Sequence, residues 1–403
     1  MRFILPACLL ALALLTVIRW LPPVPRPAHG AGVSSDVQVD LWMDNVTFPV
    51  ALEFASDGRL FFAERFVGAE SPVTGTIRVV DPEGVLQEKP FATITLADSS
   101  PTAEKGLLGL ALDPDFGENG YVYAYRTAAP DASNPNEHGE ILRYTAVLSA
   151  TDWIGTSMIR VVDDLPVSAG CCHNGGILHF GPDDKLYLSI GDNGASSNGQ
   201  DLSTRAGKLL RFNPDGTTPP DNPFVDEPAA DDAVYAYGLR NVFGYDWHPT
   251  TGELYATENG PGCHDELNHI VAGGNYGWPL SYSGDECVDP GFETIPPIWI
   301  VDPPVGLTGA AFYTGETMPQ LREQLFLGAW NNGALYQVDL SQGKEAPIVS
   351  TLIENCAQPI EPGSDHNMLD ITTGPDGALY FSCQQDLFPA PPHTGAIYRL
   401  TLP

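Results

Sequence analysis

The segment of residues 258–279 brings oxygen donors and tight-turn residues together in one loop. The candidate ligands are carbonyls or side chains of Gly260, Pro261, Asp265, Glu266, Asn275 and Tyr276. Carboxylate and carbonyl oxygens together form the ligand set that Ca²⁺ prefers. Acidic loops are also common without metal, so a solvated turn is the alternative. The spacing leaves both interpretations open.

A second candidate site joins an imidazole to a carboxylate. His173 lies just before Gly175 and Gly176, and the predicted hairpin that follows ends at Asp192. The two side chains could therefore meet at one end of that hairpin. A carboxylate that orients an imidazole supports the ring as a base near neutral pH. The alternative is that His173 is only a turn residue.

The elements that would position these residues recur along the chain. Six turn-then-strand segments share a polar turn followed by an apolar strand, at residues 56–62, 117–123, 182–187, 250–255, 321–326 and 375–380. Most are followed by a second strand that opens with Gly. Their spacing of roughly 50 to 70 residues fits one antiparallel sheet per unit. The pattern predicts an all-β fold, a six-bladed β-propeller of four-stranded antiparallel sheets. The early strand at residues 37–42 is expected to join the last blade and close the ring.

Composition supports this fold class and excludes one class of partner. The chain of 403 residues contains 41 Gly and 37 Pro, which is too rich in turn formers for a helical protein. Its formal net charge of -32 would repel phosphate backbones, so nucleic acid is not an expected partner. No linker composition interrupts the chain after the N-terminal region, and residues 31–403 are predicted to form one domain.

Residues 1–30 are predicted to be an export signal. Arg2 precedes an apolar run at residues 3–18, and small residues follow near Gly30. The alternative is an uncleaved membrane anchor, although the run is shorter than the roughly 20 residues needed to span a bilayer. The expected location is secreted or periplasmic, or N-terminally anchored.

Export also bears on the cysteines. The exported part contains Cys171, Cys172, Cys263, Cys287, Cys356 and Cys383. An even number in an oxidising compartment allows up to three disulfides, whose pairing the sequence does not define. A zinc site formed by Cys171, Cys172, His173 and Cys263 is the competing hypothesis, but it lacks a paired C-x₂-C spacing.

Several motifs together resemble a known family. They share their order along the chain and cover most of it, at residues 106–116, 173–192, 207–216, 237–241 and 258–279. In this combination the chain resembles the soluble glucose/sorbosone dehydrogenases, which are quinoprotein aldose dehydrogenases. The resemblance implies a six-bladed propeller that oxidises an aldose or related polyol. It also implies pyrroloquinoline quinone (PQQ) and Ca²⁺ as cofactors and an external electron acceptor.

The resemblance also implies roles for individual residues. His173 matches the general base, Asp192 matches its orienting carboxylate, and Arg240 matches a residue that stabilises charge on the reduced quinone. Residues implied to face the cofactor or sugar are Glu104, Arg240, Asn241, Asn331 and Asn367. Residues implied to bind calcium are Gly260 and Pro261 at the catalytic ion, and Glu266 and Tyr276 at a structural ion. Asp265 matches a carboxylate that faces the site.

The chain departs from the family pattern in the quinone pocket. Asn331 stands where the well-known enzymes have a Lys, Asn367 and Leu369 where they have two Arg residues, and Cys172 where they have a carboxylate. Fewer cations mean fewer charge-assisted hydrogen bonds to the carboxylates of PQQ. Two alternatives therefore stay open, a non-catalytic binding propeller stabilised by calcium and a lactone hydrolase. The hydrolase would need an axial metal held by carboxylates from several blades.

Overall fold

A computed structural model of the chain describes residues 37–68, 71–283, 286–288, 293–356, 366–385 and 393–403. The predicted export signal at residues 1–30 lies outside this part of the chain. The described residues form six four-stranded antiparallel sheets, which are the blades of a β-propeller. The predicted fold class is therefore confirmed.

Each blade is a meander whose first strand lies nearest the axis. The strands, in chain order, are β1 (Gln38–Val46), which completes blade 6; β2 (Pro49–Phe54), β3 (Leu60–Val67), β4 (Thr74–Val80) and β5 (Ala92–Thr95) in blade 1; β6 (Leu107–Leu112), β7 (Tyr121–Ala128), β8 (His138–Ser149) and β9 (Asp152–Leu165) in blade 2; β10 (Leu178–Phe180), β11 (Leu186–Ile190), β12 (Lys208–Phe212) and β13 (Val234–Tyr237) in blade 3; β14 (Val242–Trp247), β15 (Leu254–Glu258) and β16 (Asp265–Ile270) in blade 4; the separate hairpin β17 (Tyr282–Ser283) and β18 (Glu286–Cys287); β19 (Trp299–Val301), the last strand of blade 4; β20 (Leu307–Phe312), β21 (Leu325–Ala329), β22 (Leu335–Asp339) and β23 (Ile348–Ile353) in blade 5; and β24 (His366–Thr373), β25 (Leu379–Gln385) and β26 (Gly395–Thr401) in blade 6.

The ring is closed by pairing of the first described strand with the last. Strand β1 runs antiparallel to β26 and pairs Gln38 with Thr401 and Leu41 with Tyr398. Blade 6 therefore combines strands from both ends of the described chain, and the predicted role of residues 37–42 is confirmed. Short helices occur only in connections within the described part, at Phe116–Asn119 (α-helix) and at Ser100–Thr102, Ser196–Gly199 and Pro319–Leu321 (3₁₀). No helix there is long and apolar enough to cross a membrane.

Hydrophobic clusters fill the spaces between neighbouring blades. Phe61 of blade 1 packs with Leu110 of blade 2, and Tyr245 and Leu209 do the same between blades 3 and 4. Corresponding clusters join the other neighbours around the ring. Because neighbouring blades cover both faces of a sheet, the inner strands β6 and β20 are buried throughout.

Three carboxyl groups interrupt this apolar interior near the axis. Asp246 Oδ2 of β14 accepts a hydrogen bond from the Phe312 N–H in blade 5 at 2.7 Å, and Asp370 Oδ2 of β24 accepts one from the Leu52 N–H in blade 1 at 2.7 Å. Glu53 of β2 lines a cavity of about 620 Å³ at the end of the axis where the first and second strands connect. Burial, with Asp370 and Asp246 nearby, raises the pKa of Glu53 to about 8.

This arrangement predicts that stability falls as the pH rises. The folded-state pKa of Glu53 exceeds its unfolded value, so its contribution is complete below the unfolded pKa and is lost as the pH approaches about 8. We expect Glu53→Gln to melt several degrees above the wild type at pH 8 and close to it at pH 5. Thermal melting at both pH values, with the exposed Glu118→Gln as control, checks this. Equal pH dependence in the wild type and both variants would contradict it.

Candidate active site

The His173 turn lies in the connection from blade 2 to blade 3, at the opposite end of the axis from the Glu53 cavity. His173 has φ 61°, a left-handed conformation that is uncommon for a non-glycine residue. Hydrogen bonds hold its peptide on both sides. Its N–H donates to Glu104 Oε2 at 2.8 Å, and its carbonyl accepts from the Asn193 N–H at 3.1 Å. The unusual conformation is therefore fixed by residues from the neighbouring connections.

Asp192 orients the imidazole, as the sequence predicts. His173 Nδ1 lies 2.7 Å from Asp192 Oδ1. The carboxylate, 1 % exposed, also accepts hydrogen bonds from the Gly194 N–H and from Trp278 Nε1, each at 2.8 Å. Burial tends to raise the pKa of Asp192, but the hydrogen bonds from His173, Gly194 and Trp278 outweigh it and hold the pKa below its usual value. An ionised Asp192 keeps the proton of a neutral imidazole on Nδ1, which leaves the Nε2 lone pair as the base.

Two of the cysteines that were expected to form disulfides are bonded to each other directly before His173. Cys171 and Cys172 are joined to each other, and Cys356 is joined to Cys383. Cys263 is also disulfide-bonded. The zinc hypothesis is therefore wrong, because no thiolate remains on its three cysteines.

Arg240 and Asn241 follow β13 and face different groups. The Arg240 guanidinium lies 5.5 Å from the Trp278 ring, and its Nη1 donates to the Asn259 carbonyl at 2.8 Å. That bond is the one hydrogen bond of the guanidinium to a described residue, so the other guanidinium N–H donors can bind an anionic ligand. Asn241 is buried, and its Oδ1 accepts a hydrogen bond from the Gly175 N–H at 3.2 Å. Asn241 therefore supports the turn that carries His173.

The carbonyls and the carboxylate of the predicted calcium loop have different contacts. Gly260 and Pro261 lie between β15 and β16, and no described residue donates a hydrogen bond to either carbonyl. Asp265 is committed to backbone amides, because its Oδ2 accepts from the Val305 N–H at 2.8 Å and the Gly306 N–H at 2.6 Å. The implied calcium role of the two carbonyls stays a prediction, while the Asp265 carboxylate fixes the loop against blade 5.

A buried carboxylate pair lies below the loop. Glu258 and Glu266 are directly paired across β15 and β16, and they are 2 % and 5 % exposed. Burial and the negative charge of Glu266 raise the pKa of Glu258 well above its usual value. Asn268 Nδ2 donates to both carboxylates at 3.1 Å, while its buried Oδ1 has no hydrogen-bond donor among the described residues. The Arg240 N–H also donates to Glu258 Oε1 at 2.6 Å, and His264 Nε2 lies 2.8 Å from Glu266 Oε1. Carboxylate and amide oxygens are the donor types that Ca²⁺ prefers, and an ion bound here would replace some of these contacts.

The Tyr276 hydroxyl is already hydrogen-bonded within the protein. It donates to the His269 carbonyl at 2.8 Å and accepts from the Val271 N–H at 2.9 Å. The hydroxyl is therefore occupied, and a calcium ligand from Tyr276 would have to be its backbone carbonyl. The implied calcium roles of Glu266 and Tyr276 stay predictions.

The comparisons with known proteins identify the family. A family model described as Glucose / Sorbosone dehydrogenase matches residues 46–387. The chain belongs to the glucose/sorbosone dehydrogenase family.

Two of the named relatives of the chain are sugar dehydrogenases. Aldose sugar dehydrogenase YliI of Escherichia coli is 27% identical over 364 residues, which cover 85% of this chain and 89% of that protein. Quinoprotein glucose dehydrogenase B of Acinetobacter calcoaceticus is 33% identical over 260 residues, which cover 59% of this chain and 51% of that protein. The solved apo-form of the soluble aldose sugar dehydrogenase from Escherichia coli superposes with a TM-score of 0.75 at 25% identity, covering 91% of this chain and 100% of that one.

Apart from Cys172, the residues that depart from the family pattern lie in blades 5 and 6. Asn331 is exposed and follows β21, where its N–H donates to the Val305 carbonyl at 2.8 Å. Asn367 and Leu369 are buried on β24, the inner strand of blade 6. Trp330, next to Asn331, stacks on Phe48 with ring centroids 5.9 Å apart. Their contact with a quinone stays a prediction.

A cluster in blade 2 has the composition of a metal site but the contacts of an ion-pair network. Asp131, His138 and Glu140 are the one group of three potential ligands found among the described residues. Arg160 donates to Asp131 at 2.5 Å and lies 2.9 Å from Glu140, which Arg126 also contacts. Two guanidinium groups already neutralise these carboxylates. The axial carboxyl groups of Glu53, Asp246 and Asp370 come from three blades but do not form such a group, and the lactone hydrolase stays an alternative that no observation favours.

Three residues of this site, Trp278, Glu258 and Asn268, were not predicted from the sequence. Trp278 donates to Asp192 from another blade, and no sequence pattern links these two residues. Glu258 is the first residue of the predicted calcium segment, but no ligand role was predicted for it. Its place directly opposite Glu266 follows from the strand register, which a prediction of the β15–β16 hairpin would have shown.

Proposed function

We propose that the protein is an exported PQQ- and Ca²⁺-dependent dehydrogenase that oxidises the anomeric carbon of an aldose or related polyol. The observation that carries the proposal is the hydrogen-bonded series Trp278–Asp192–His173 in a member of a sugar dehydrogenase family. A base fixed in this way at the open end of a propeller fits proton removal from a hydroxyl group.

His173 would act as the general base. Its Nδ1 is held by Asp192, so Nε2 would take the proton from the anomeric hydroxyl. Asp192 would stabilise the imidazolium that results, and Trp278 would keep the carboxylate in place. PQQ, when bound, supplies the quinone that accepts the hydride.

The cofactor sites are proposed from the donors described above. The free Arg240 donors would bind an oxygen of PQQ and stabilise negative charge on it. Gly260 and Pro261 carbonyls would hold the catalytic Ca²⁺, while Glu258, Glu266 and Asn268 would hold a second ion. Glu104, Asn331 and Asn367 complete the predicted surroundings of the cofactor and sugar. Electrons would leave to an external acceptor.

A titration tests the proposal. Protein stripped with a chelator is titrated with PQQ in the presence and absence of Ca²⁺ and followed by quinone absorbance. An aldose and an artificial electron acceptor are then added. Saturable, calcium-dependent binding with sugar-dependent reduction is the expected result. Calcium binding without quinone binding would instead assign the protein to the binding propellers.

Trp278→Phe tests whether Trp278 holds the Asp192 carboxylate in place. The substitution removes the donor to Asp192 Oδ2 and leaves a buried carboxylate oxygen without that partner. Loss of a hydrogen bond to a charged group predicts a decrease of about tenfold in kcat/KM. Steady-state kinetics measure it. The control is Trp299→Phe, which disturbs packing against Tyr336 without touching Asp192. Equal kinetics for the two variants would contradict the role of Trp278.

A further inference from the structure

The Cys171–Cys172 disulfide joins adjacent residues directly before His173. Cys171 is exposed and Cys172 is half-buried. The Cys356–Cys383 disulfide is different, because both cysteines are fully buried between blades 5 and 6. One disulfide lies at the candidate active site, and the other lies in the core.

The two bonds differ in what they can stabilise. A disulfide restricts the unfolded chain more when it closes a longer loop. The sequence separation is 1 for Cys171–Cys172 and 27 for Cys356–Cys383. Cys356–Cys383 therefore has much the larger capacity to stabilise the fold. The adjacent pair closes only a small covalent ring around its own peptide bond, so its effect is local.

The backbone after His173 is held by several hydrogen bonds. The Gly175 N–H donates to Asn241 Oδ1 at 3.2 Å, and the Gly176 N–H donates to the Ser189 carbonyl at 2.8 Å. Asn174 is fully buried, and its Oδ1 accepts from the Ser168 N–H at 2.8 Å. This side of the turn needs no covalent restraint.

The backbone before His173 is held by hydrogen bonds to Glu104. The Glu104 N–H donates to the Cys171 carbonyl at 2.7 Å, and Glu104 Oε2 accepts from the His173 N–H at 2.8 Å. Glu104 therefore grips the residues on both sides of Cys172. Cys172 itself forms no backbone hydrogen bond with another described residue. The disulfide is the covalent restraint on this residue, between the two contacts of Glu104.

We propose that the Cys171–Cys172 disulfide is a positioning element for His173. It restrains the peptide between the two contacts of Glu104, so that the imidazole stays aligned on Asp192. The inference rests on the proposed role of His173 as the base. The disulfide acts through His173 and makes no chemical contribution to the reaction.

The test compares two double variants of the full protein. Cys171→Ser/Cys172→Ser removes the restraint at the site, and Cys356→Ser/Cys383→Ser removes the core disulfide as the matched control. The first readout is the NMR signal of the His173 Nδ1–H proton, recorded without cofactor or sugar. It is assigned by its absence from His173→Gln. The second readout is kcat and KM with PQQ, Ca²⁺ and an aldose, beside the melting temperature.

The expected result separates positioning from stability. Cys171→Ser/Cys172→Ser should lose or shift the Nδ1–H signal and lower kcat about tenfold or more, since small misplacements of a catalytic group reduce the rate strongly. Its KM and melting temperature should change little. The core variant should melt lower but keep the signal, kcat and KM of the wild type.

Three results would overturn the inference. An unchanged signal with unchanged kcat shows that the turn does not need the bond. A rise in KM alone shows that the sulfur atoms contact the substrate instead. An equal loss of kcat in both variants shows general destabilisation. If the wild type oxidises no sugar, the proposed function fails, while the comparison of Nδ1–H signals still decides whether the disulfide positions His173.

Discussion

His173→Gln is expected to lower kcat for aldose oxidation by about 100-fold or more, the range that loss of a general base produces. Glutamine can still donate a hydrogen bond to Asp192, but it offers no nitrogen that accepts a proton near neutral pH. The side chain is 20% exposed, so the substitution creates no large cavity. Steady-state kinetics with the PQQ- and Ca²⁺-loaded protein measure the loss, and thermal melting should show little change.

The control for this prediction is another histidine on the same ring. His248 lies at the opposite end of the axis, where its Nδ1 accepts a hydrogen bond from the Thr250 N–H at 3.2 Å. His248→Gln should therefore keep wild-type kcat. Wild-type turnover in His173→Gln would exclude His173 as the base and leave Asp192 without its proposed role.

Removal of calcium is expected to cause the second large change, in stability. Two buried carboxylates side by side repel each other, and a bound cation relieves that repulsion. At a free Ca²⁺ concentration of about 100 times the Kd, binding stabilises the folded protein by about 2.7 kcal/mol. The wild type should therefore melt lower in chelator. Glu266→Gln should melt lower than the wild type in calcium, and its melting temperature should respond little to chelator.

The pH dependence gives an independent check on the same pair. Without a cation, the raised pKa of Glu258 means that stability falls as the pH rises above the unfolded carboxyl pKa. Calcium should flatten this dependence, because it stabilises the ionised forms. Glu253→Gln is the matched control, since Glu253 precedes the same strand and pairs with Lys344 at the surface. A chelator effect of equal size in Glu266→Gln and the wild type would refute the assignment.

The repeated turns predicted the fold because they are local signals. Each polar turn followed by an apolar strand specifies a hairpin within a few residues, and six such units have one closed arrangement. The pairing of β1 with β26 could also be predicted from the sequence, since a last blade of three strands has an unpaired edge. The meeting of His173 and Asp192 followed from the β10–β11 hairpin in the same way.

The remaining contacts of the site depend on packing between blades. Trp278 is 86 residues from Asp192 in sequence, and only the arrangement of blades 3 and 4 brings them together. The bond between Cys171 and Cys172 was equally inaccessible, because neighbouring side chains in an extended segment point to opposite sides. Glu104, from the connection between blades 1 and 2, holds the Cys171 carbonyl and the His173 N–H on either side of Cys172. Sequence patterns identified contacts within one hairpin, but they did not define the contacts between blades.

Blade 6, which combines β1 with β24, β25 and β26, also constrains when the ring can close during synthesis. Strand β1 is synthesised before every other described strand, and its partner β26 is synthesised after them. During vectorial synthesis or translocation, blades 1 to 5 can form while the ring stays open. Blade 6 has its fourth strand only when β26 has emerged. We therefore expect truncation before Gly395 to leave an open, protease-sensitive arc, whereas chain cleavage within a loop between two complete blades should leave the ring intact.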